Sequence, residues 1–184
     1  MRVTPIDNPR QLIAKIFYWA VKRRLGKVMT PARVVYARVP ALFRLAYEEI
    51  KIVEGKLTVD PTVSILVRTW AAMINDCSFC VDIAKAVAVQ KRMTLEKFDA
   101  LPQYRTSPLY SPRERAALAY VEEATRAKRV SDATFAELRR HFNDTEIVEI
   151  TWLNALENYY NLINIPLEIE SDGLCAIAER RAAA

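Results

Sequence analysis

Cys77 and Cys80 stand three residues apart in a 184-residue chain that holds only three cysteines. Residues at i and i+3 share a helix face, so two such sulfurs can approach within disulfide reach if Cys77 sits at the helix entrance. A thiol there feels the positive end of the helix macrodipole, which favours the thiolate. The thiolate is the attacking species in peroxide reduction and in disulfide exchange. Asp76 and Asp82 oppose this with negative charge, and Lys85 offsets them if it reaches. From the residues alone three readings stay open: a redox dithiol, a pair of inert buried thiols, or half of a zinc site. Zinc would need two further ligands, and Cys175 and His141 are the only obvious candidates, neither in a tight local pair. Cys175 reads as a packed C-terminal residue. His141, following Arg139 and Arg140, reads as a contact at a helix end.

The elements that must position this pair read as helices. Apolar residues recur at three- and four-residue steps, with no clear alternating strand or Asn-Gly turn. Proline after a good cap announces several helix starts. Asn8-Pro9 opens a segment to about Leu25, closed by Gly26, and Thr30-Pro31 a short helix to about Arg38. Pro40 opens a helix that Gly55 ends, and Asp60-Pro61 opens the one leading into the cysteines. Ser111-Pro112 with Glu114 starts a helix to about Lys128, Ser131 caps the next through Phe142, and Asp144 starts a longer one through Ile163. The connection from Leu101 to Tyr110, with Pro102 and Pro108, reads as a surface loop. Trp19, Trp70 and Trp152 fall in helical apolar patterns and are expected in the core or between subunits.

Composition narrows the class. Hydrophobic residues make up 52% and charged ones 27%, near the values of ordinary globular proteins, which argues against disorder. With three glycines and no GxGxxG or GxxxxGK[ST] pattern, nucleotide binding through those devices is excluded. The chain opens without a signal-peptide pattern and has no apolar run of membrane-spanning length, so a reducing cytoplasm is the expected compartment. The net charge of +5 is uneven: residues 1–44 hold ten Lys/Arg and a single acid, the remainder seventeen against twenty-one acids. Residues 1–27 are read as a basic amphipathic helical extension, with Leu12, Ile13, Ile16, Phe17, Trp19, Ala20 and Val21 against Arg10, Lys15, Lys22, Arg23 and Arg24. Packing on the domain or a neighbouring subunit is preferred over contact with an anionic membrane surface, and no nucleic-acid motif is present.

The run Asn75-Asp76-Cys77-Ser78-Phe79-Cys80-Val81-Asp82-Ile83 resembles the cysteine segment of the carboxymuconolactone decarboxylase/AhpD superfamily. A second block agrees: Tyr110 to Tyr120, then Val130-Ser131-Asp132, then His141 to Ile150, with Asn154 to Asn164 similar to the closing Asn-containing helix of such proteins. The resemblance covers about residues 28–168. It implies an all-α, AhpD-like helical bundle over residues 28–184, with the CxxC at a helix N-terminus, assembling as dimers, trimers or hexamers. It also implies reduction of a hydroperoxide or exchange of a disulfide through Cys77 and Cys80, with a thiol protein as reductant and no organic cofactor or metal. Cys80 would attack and Cys77 resolve. In the redox branch a His four residues after the second cysteine and a Glu twelve before the first relay protons; here those positions are Ala84 and Ile65. Acid–base assistance is typically worth about 10²–10⁴ in rate, so weak or partner-dependent chemistry is expected. Asp82, Tyr36, Tyr159 and Glu157 are substitutes by residue type only. The alternative is a non-enzymatic or ligand-binding oligomer of the same fold.

Overall fold

Proline in the first turn, with a capping side chain before it, sets two helix starts: the missing N–H of proline falls where no intrahelical partner exists. In a computed structural model describing residues 1–183, α3 (Pro61–Ile74) is capped by Asp60, whose carboxylate accepts from the Thr62 and Val63 amides. A reciprocal box between Ser111 and Glu114 opens α6 (Pro112–Ala127). Ser131 caps α7 (Asp132–Arg139), and an Asn143–Glu146 box opens α8 (Asp144–Asn164), the longest helix. Each such cap contributes about 1 kcal/mol. The other helices are α1 (Leu12–Leu25), α2 (Ala41–Gly55), α4 (Ser78–Gln90), α5 (Glu96–Asp99) and α9 (Leu174–Ala182), and no strand occurs among the described residues.

The main core forms where α3 packs against α6 and α8. Leu66, Val67, Leu118, Val121, Ile150 and Leu153 are fully buried there. Truncating one of these leucines to alanine would cost about 2–5 kcal/mol, because the cavity only partly collapses. A second apolar cluster joins Cys77, Phe79 and Cys80 to Leu25, Ile169 and Leu174, so α4 lies between α3 and α9.

Three details depart from the sequence reading. The first helix starts at Leu12, not at Pro9, and Asp7 pairs with Arg33 across the chain. The segment after Pro31 forms a π-helical turn, Ala32–Tyr36. α9 has no counterpart in the sequence reading. It is pressed against the end of α1: a Cβ on Gly26, which has φ +86°, would come within 2.7 Å of Ile177 Cγ2. Among the tryptophans, Trp70 is buried and Trp152 partly so, whereas Trp19 is 66% exposed beneath the Arg23 guanidinium. Trp19 is therefore not a core residue of the single chain. No described helix is long and apolar enough to cross a membrane.

Candidate functional site

The cysteines sit in a tight turn between two helices. Asn75 ends α3, and Asp76 takes a left-handed conformation (φ +57°), which a short polar side chain tolerates better than most. The chain turns back so that the Cys77 amide bonds the Ala72 carbonyl at 2.9 Å, and Cys77 becomes the N-cap of α4. Its side chain makes no cap hydrogen bond, unlike those of Asp60, Ser111 and Asn143. The positive end of α4 is thus left to the sulfurs. Cys77 and Cys80 are joined as a disulfide with Cα atoms 5.3 Å apart. Both are recessed, at 1% and 4% exposure.

The two sulfurs meet different surroundings. Cys80 faces α8, where the Asn161 side-chain amide donates to its Sγ at 3.1 Å and that of Asn164 at 3.4 Å. Asn161 is itself fully engaged. Its second N–H donates to Glu157 Oε1 at 3.0 Å, and its carbonyl oxygen accepts from Asn75 Nδ2 at 2.7 Å. Asn75 also bonds Asn158. Arg68, on α3, holds the other oxygen of Glu157 through Nε and Nη2, both at 3.1 Å. Burial pushes the Glu157 carboxyl above its ordinary range, and Arg68 and the Asn161 bond only partly offset it. A continuous polar chain therefore runs Arg68–Glu157–Asn161–Cys80.

Cys77 faces the other way. It lines a groove of about 560 Å³ whose walls are Trp70, Met73, Val81 and Pro102, with Asp76 and Lys85 among its polar members. Pro102 comes from the connection read as a plain surface loop, so that segment shapes the site. Its neighbours Leu101 and Tyr104 are buried in the core. A larger depression of about 690 Å³, around Arg139 and Asn143 at the start of α8, contains no cysteine and lies elsewhere.

The acids and bases flagged from sequence are now placed. Asp82 is buried, and its carboxylate accepts the backbone amides of Asp172, Leu174 and Cys175 at 3.0, 2.9 and 2.8 Å. Its negative charge is taken up by the start of α9 instead of opposing a thiolate. Lys85 pairs with Asp99. Ile65 lies in the main core and Ala84 on α4, and neither offers a proton. Tyr36 and Tyr159 lie near Glu49, which accepts the Tyr160 hydroxyl; burial raises both hydroxyls, so both keep their protons at neutral pH. His141 bonds Glu137 at the end of α7, and Cys175 is a free thiol in the Cys77 groove. Of the four substitutes by type, Glu157 alone is joined to a cysteine through one intervening side chain. Asn161 and Asn164 were missed as individual residues. Their signal is a polar stripe at Asn154, Glu157, Asn161 and Asn164, which recurs at three- and four-residue steps and is buried along one helix.

An all-helical bundle with a CxxC at the mouth of a buried helix defines the class, and the comparisons place the chain within it. The carboxymuconolactone decarboxylase family matches over residues 37–123. The uncharacterized protein YnjA of Escherichia coli strain K12 is 34% identical over 172 residues, covering 92% of this chain and 94% of YnjA. The chain belongs to the carboxymuconolactone decarboxylase family, in its AhpD-like superfamily. A structure from Agrobacterium tumefaciens, of unknown function but suggested to be an antioxidant defence protein AhpD, is similar at 28% identity with a TM-score of 0.69. It aligns over 76% of this chain and 97% of its own. The debrominase Bmp8, solved as a cysteine-to-alanine variant with 2,3,4-tribromopyrrole, shares the fold at a TM-score of 0.82 and 16% identity, over 99% of this chain and 97% of its own.

Proposed function

We propose that this protein is a thiol-dependent oxidoreductase in which Cys77 and Cys80 cycle between dithiol and disulfide while reducing a hydroperoxide or a partner's disulfide. The observation that carries the reading is the placement of the pair: one sulfur against a groove, the other against amide donors, both at the start of α4. Sequence reasoning gave the attack to Cys80. The groove lies against Cys77, so here Cys77 takes the substrate and Cys80 resolves. The Cys77 thiolate attacks one peroxide oxygen, the O–O bond breaks, and the leaving alkoxide takes a proton. Cys80 then attacks the sulfenic sulfur, releasing water and forming the disulfide, which a dithiol protein returns to two thiols. With Ile65 and Ala84 in the relay positions, turnover is slow or tuned to a particular partner.

The apolar walls at Trp70, Met73, Val81 and Pro102 suit an organic substrate better than a small polar one. A bromopyrrole therefore joins an organic hydroperoxide as a probe, on the strength of a fold shared with a debrominase. Large apolar side chains on the surface, among them Trp19, Tyr47 and Leu162, support self-association. The test is consumption of cumene hydroperoxide with dithiothreitol by the native chain, Cys77→Ser and Cys80→Ser. Each serine variant is expected to lose at least about 10²-fold in rate. Equal rates for all three would leave the ligand-binding alternative in its place.

A further inference from the structure

The Cys80 side of the disulfide is built for a departing charge. Asn161 is an amide with no freedom left. Its carbonyl oxygen is occupied by the Asn75 amide, and its NH₂ faces both Glu157 and the Cys80 sulfur. A flipped amide would set its oxygen against the Glu157 carboxylate and its nitrogen against the Asn75 donor, losing both bonds. Glu157 is in turn fixed by two guanidinium contacts from Arg68. A second donor, Asn164, reaches the same sulfur. Asn161 and Asn164 are 1% and 3% exposed, so water does not compete for these bonds.

Resting on the oxidoreductase reading, we propose that Asn161, locked by Glu157 and Asn75, is a positioning residue that stabilises Cys80 as the leaving thiolate when a reductant opens the disulfide. In that step a dithiol's thiolate attacks Cys77 Sγ from the groove and forms a mixed disulfide with it. The Cys77–Cys80 bond breaks, and its electron pair departs on Cys80 Sγ. The second thiol of the reductant then gives up its proton, closes its own disulfide and releases Cys77 as a thiolate. Exchange is faster when the leaving thiol is more acidic, and hydrogen bonds to a charged sulfur lower its pKa. The chain Arg68–Glu157–Asn161 thus serves the reduction half of the cycle, through residues other than those at the Ile65 and Ala84 positions.

The experiment follows reduction of the protein disulfide by dithiothreitol in stopped flow, with no peroxide present. Asn161→Asp, which cannot donate when ionised, is expected to slow reduction by about tenfold. Glu157→Leu, which frees the amide, should slow it by about threefold, and Glu157→Gln, which keeps an acceptor, should restore most of the rate. A second measurement follows the Cys80 thiolate absorbance against pH in a Cys77→Ser, Cys175→Ser background. There Asn161→Leu, and separately Asn164→Leu, each of which removes a donor without adding a charge, should move the titration upward, a shift that a purely structural role would not produce. Circular dichroism and a cooperative melt check that each variant is folded, and Asn164→Leu carries the test if the Asn161 variants do not fold. Reduction rates and Cys80 titrations within a factor of two of the native background would overturn the proposal. Failure of the oxidoreductase reading looks different: the native chain would consume no peroxide, while the effects of these substitutions on reduction by dithiothreitol would persist.

Discussion

One disulfide here has two unlike ends. Cys77 borders a groove walled by Trp70, Met73, Val81 and Pro102, open to an incoming molecule. Cys80 is enclosed by the side chains of α8, with two amide donors on its sulfur and a buried carboxylate one bond further on. Attack on a disulfide needs access at one sulfur and charge stabilisation at the other. The asymmetry supports a fixed direction of exchange, in at Cys77 and out at Cys80.

The largest effect should come from trapping. A Cys80→Ser protein treated with an oxidised thiol probe is expected to hold the probe on Cys77 as a stable mixed disulfide. Cys77→Ser should be labelled at Cys80 at least about tenfold more slowly, because the groove reaches Cys77 whereas Cys80 lies against the amides of α8. Mass spectrometry of the two variants in a Cys175→Ser background reads the difference, and equal labelling would break the contrast between the ends. Next in size is a contrast between two acids that look alike in sequence. Asp82→Ala leaves three backbone amides at the start of α9 without their acceptor and should cost about 2–3 kcal/mol in a denaturant titration. Asp76→Asn, on an exposed left-handed turn residue, should change stability by less than about 0.5 kcal/mol.

The smallest effect is a pH slope. Burial raises the Glu157 carboxyl in the folded chain above its unfolded value of about 4.3. The folded protein therefore favours the protonated form. The stability this contributes is full below the unfolded pKa and is lost as pH rises through the folded one. Glu157→Gln removes that dependence. Its melting temperature relative to the native chain should thus climb as pH goes from about 5 to about 8. A difference that stays level across that range would place the carboxyl in an ordinary environment.

Much of this was legible in the chain. Asp60-Pro61, Ser111-Pro112 and Ser131 announce helices because caps are local: donor and acceptor lie within three residues of each other. The cysteine pair was legible for the same reason. The partners of Cys80 were not, since Asn161 and Asn164 lie 81 and 84 residues downstream and meet the sulfur only through the packing of α4 on α8. The buried stripe on α8 marks those positions as unusual without saying what they face. Asp82 taught the opposite lesson. Its place beside Cys80 reads as electrostatic opposition to the thiolate, but α9, about ninety residues further along the chain, takes up its charge. Periodicity places Trp19 in the core or between subunits. That pattern cannot tell a core from a face left open on one chain.

The Asp82 clamp also bears on how the protein is handled. The carboxylate that secures α9 stands two residues after Cys80, on the same turn of helix, so the anchor of α9 and the redox pair share one turn of α4. Cutting the chain before Asp172 would therefore strip Asp82 of all three donors and leave a bare buried carboxylate beside the disulfide.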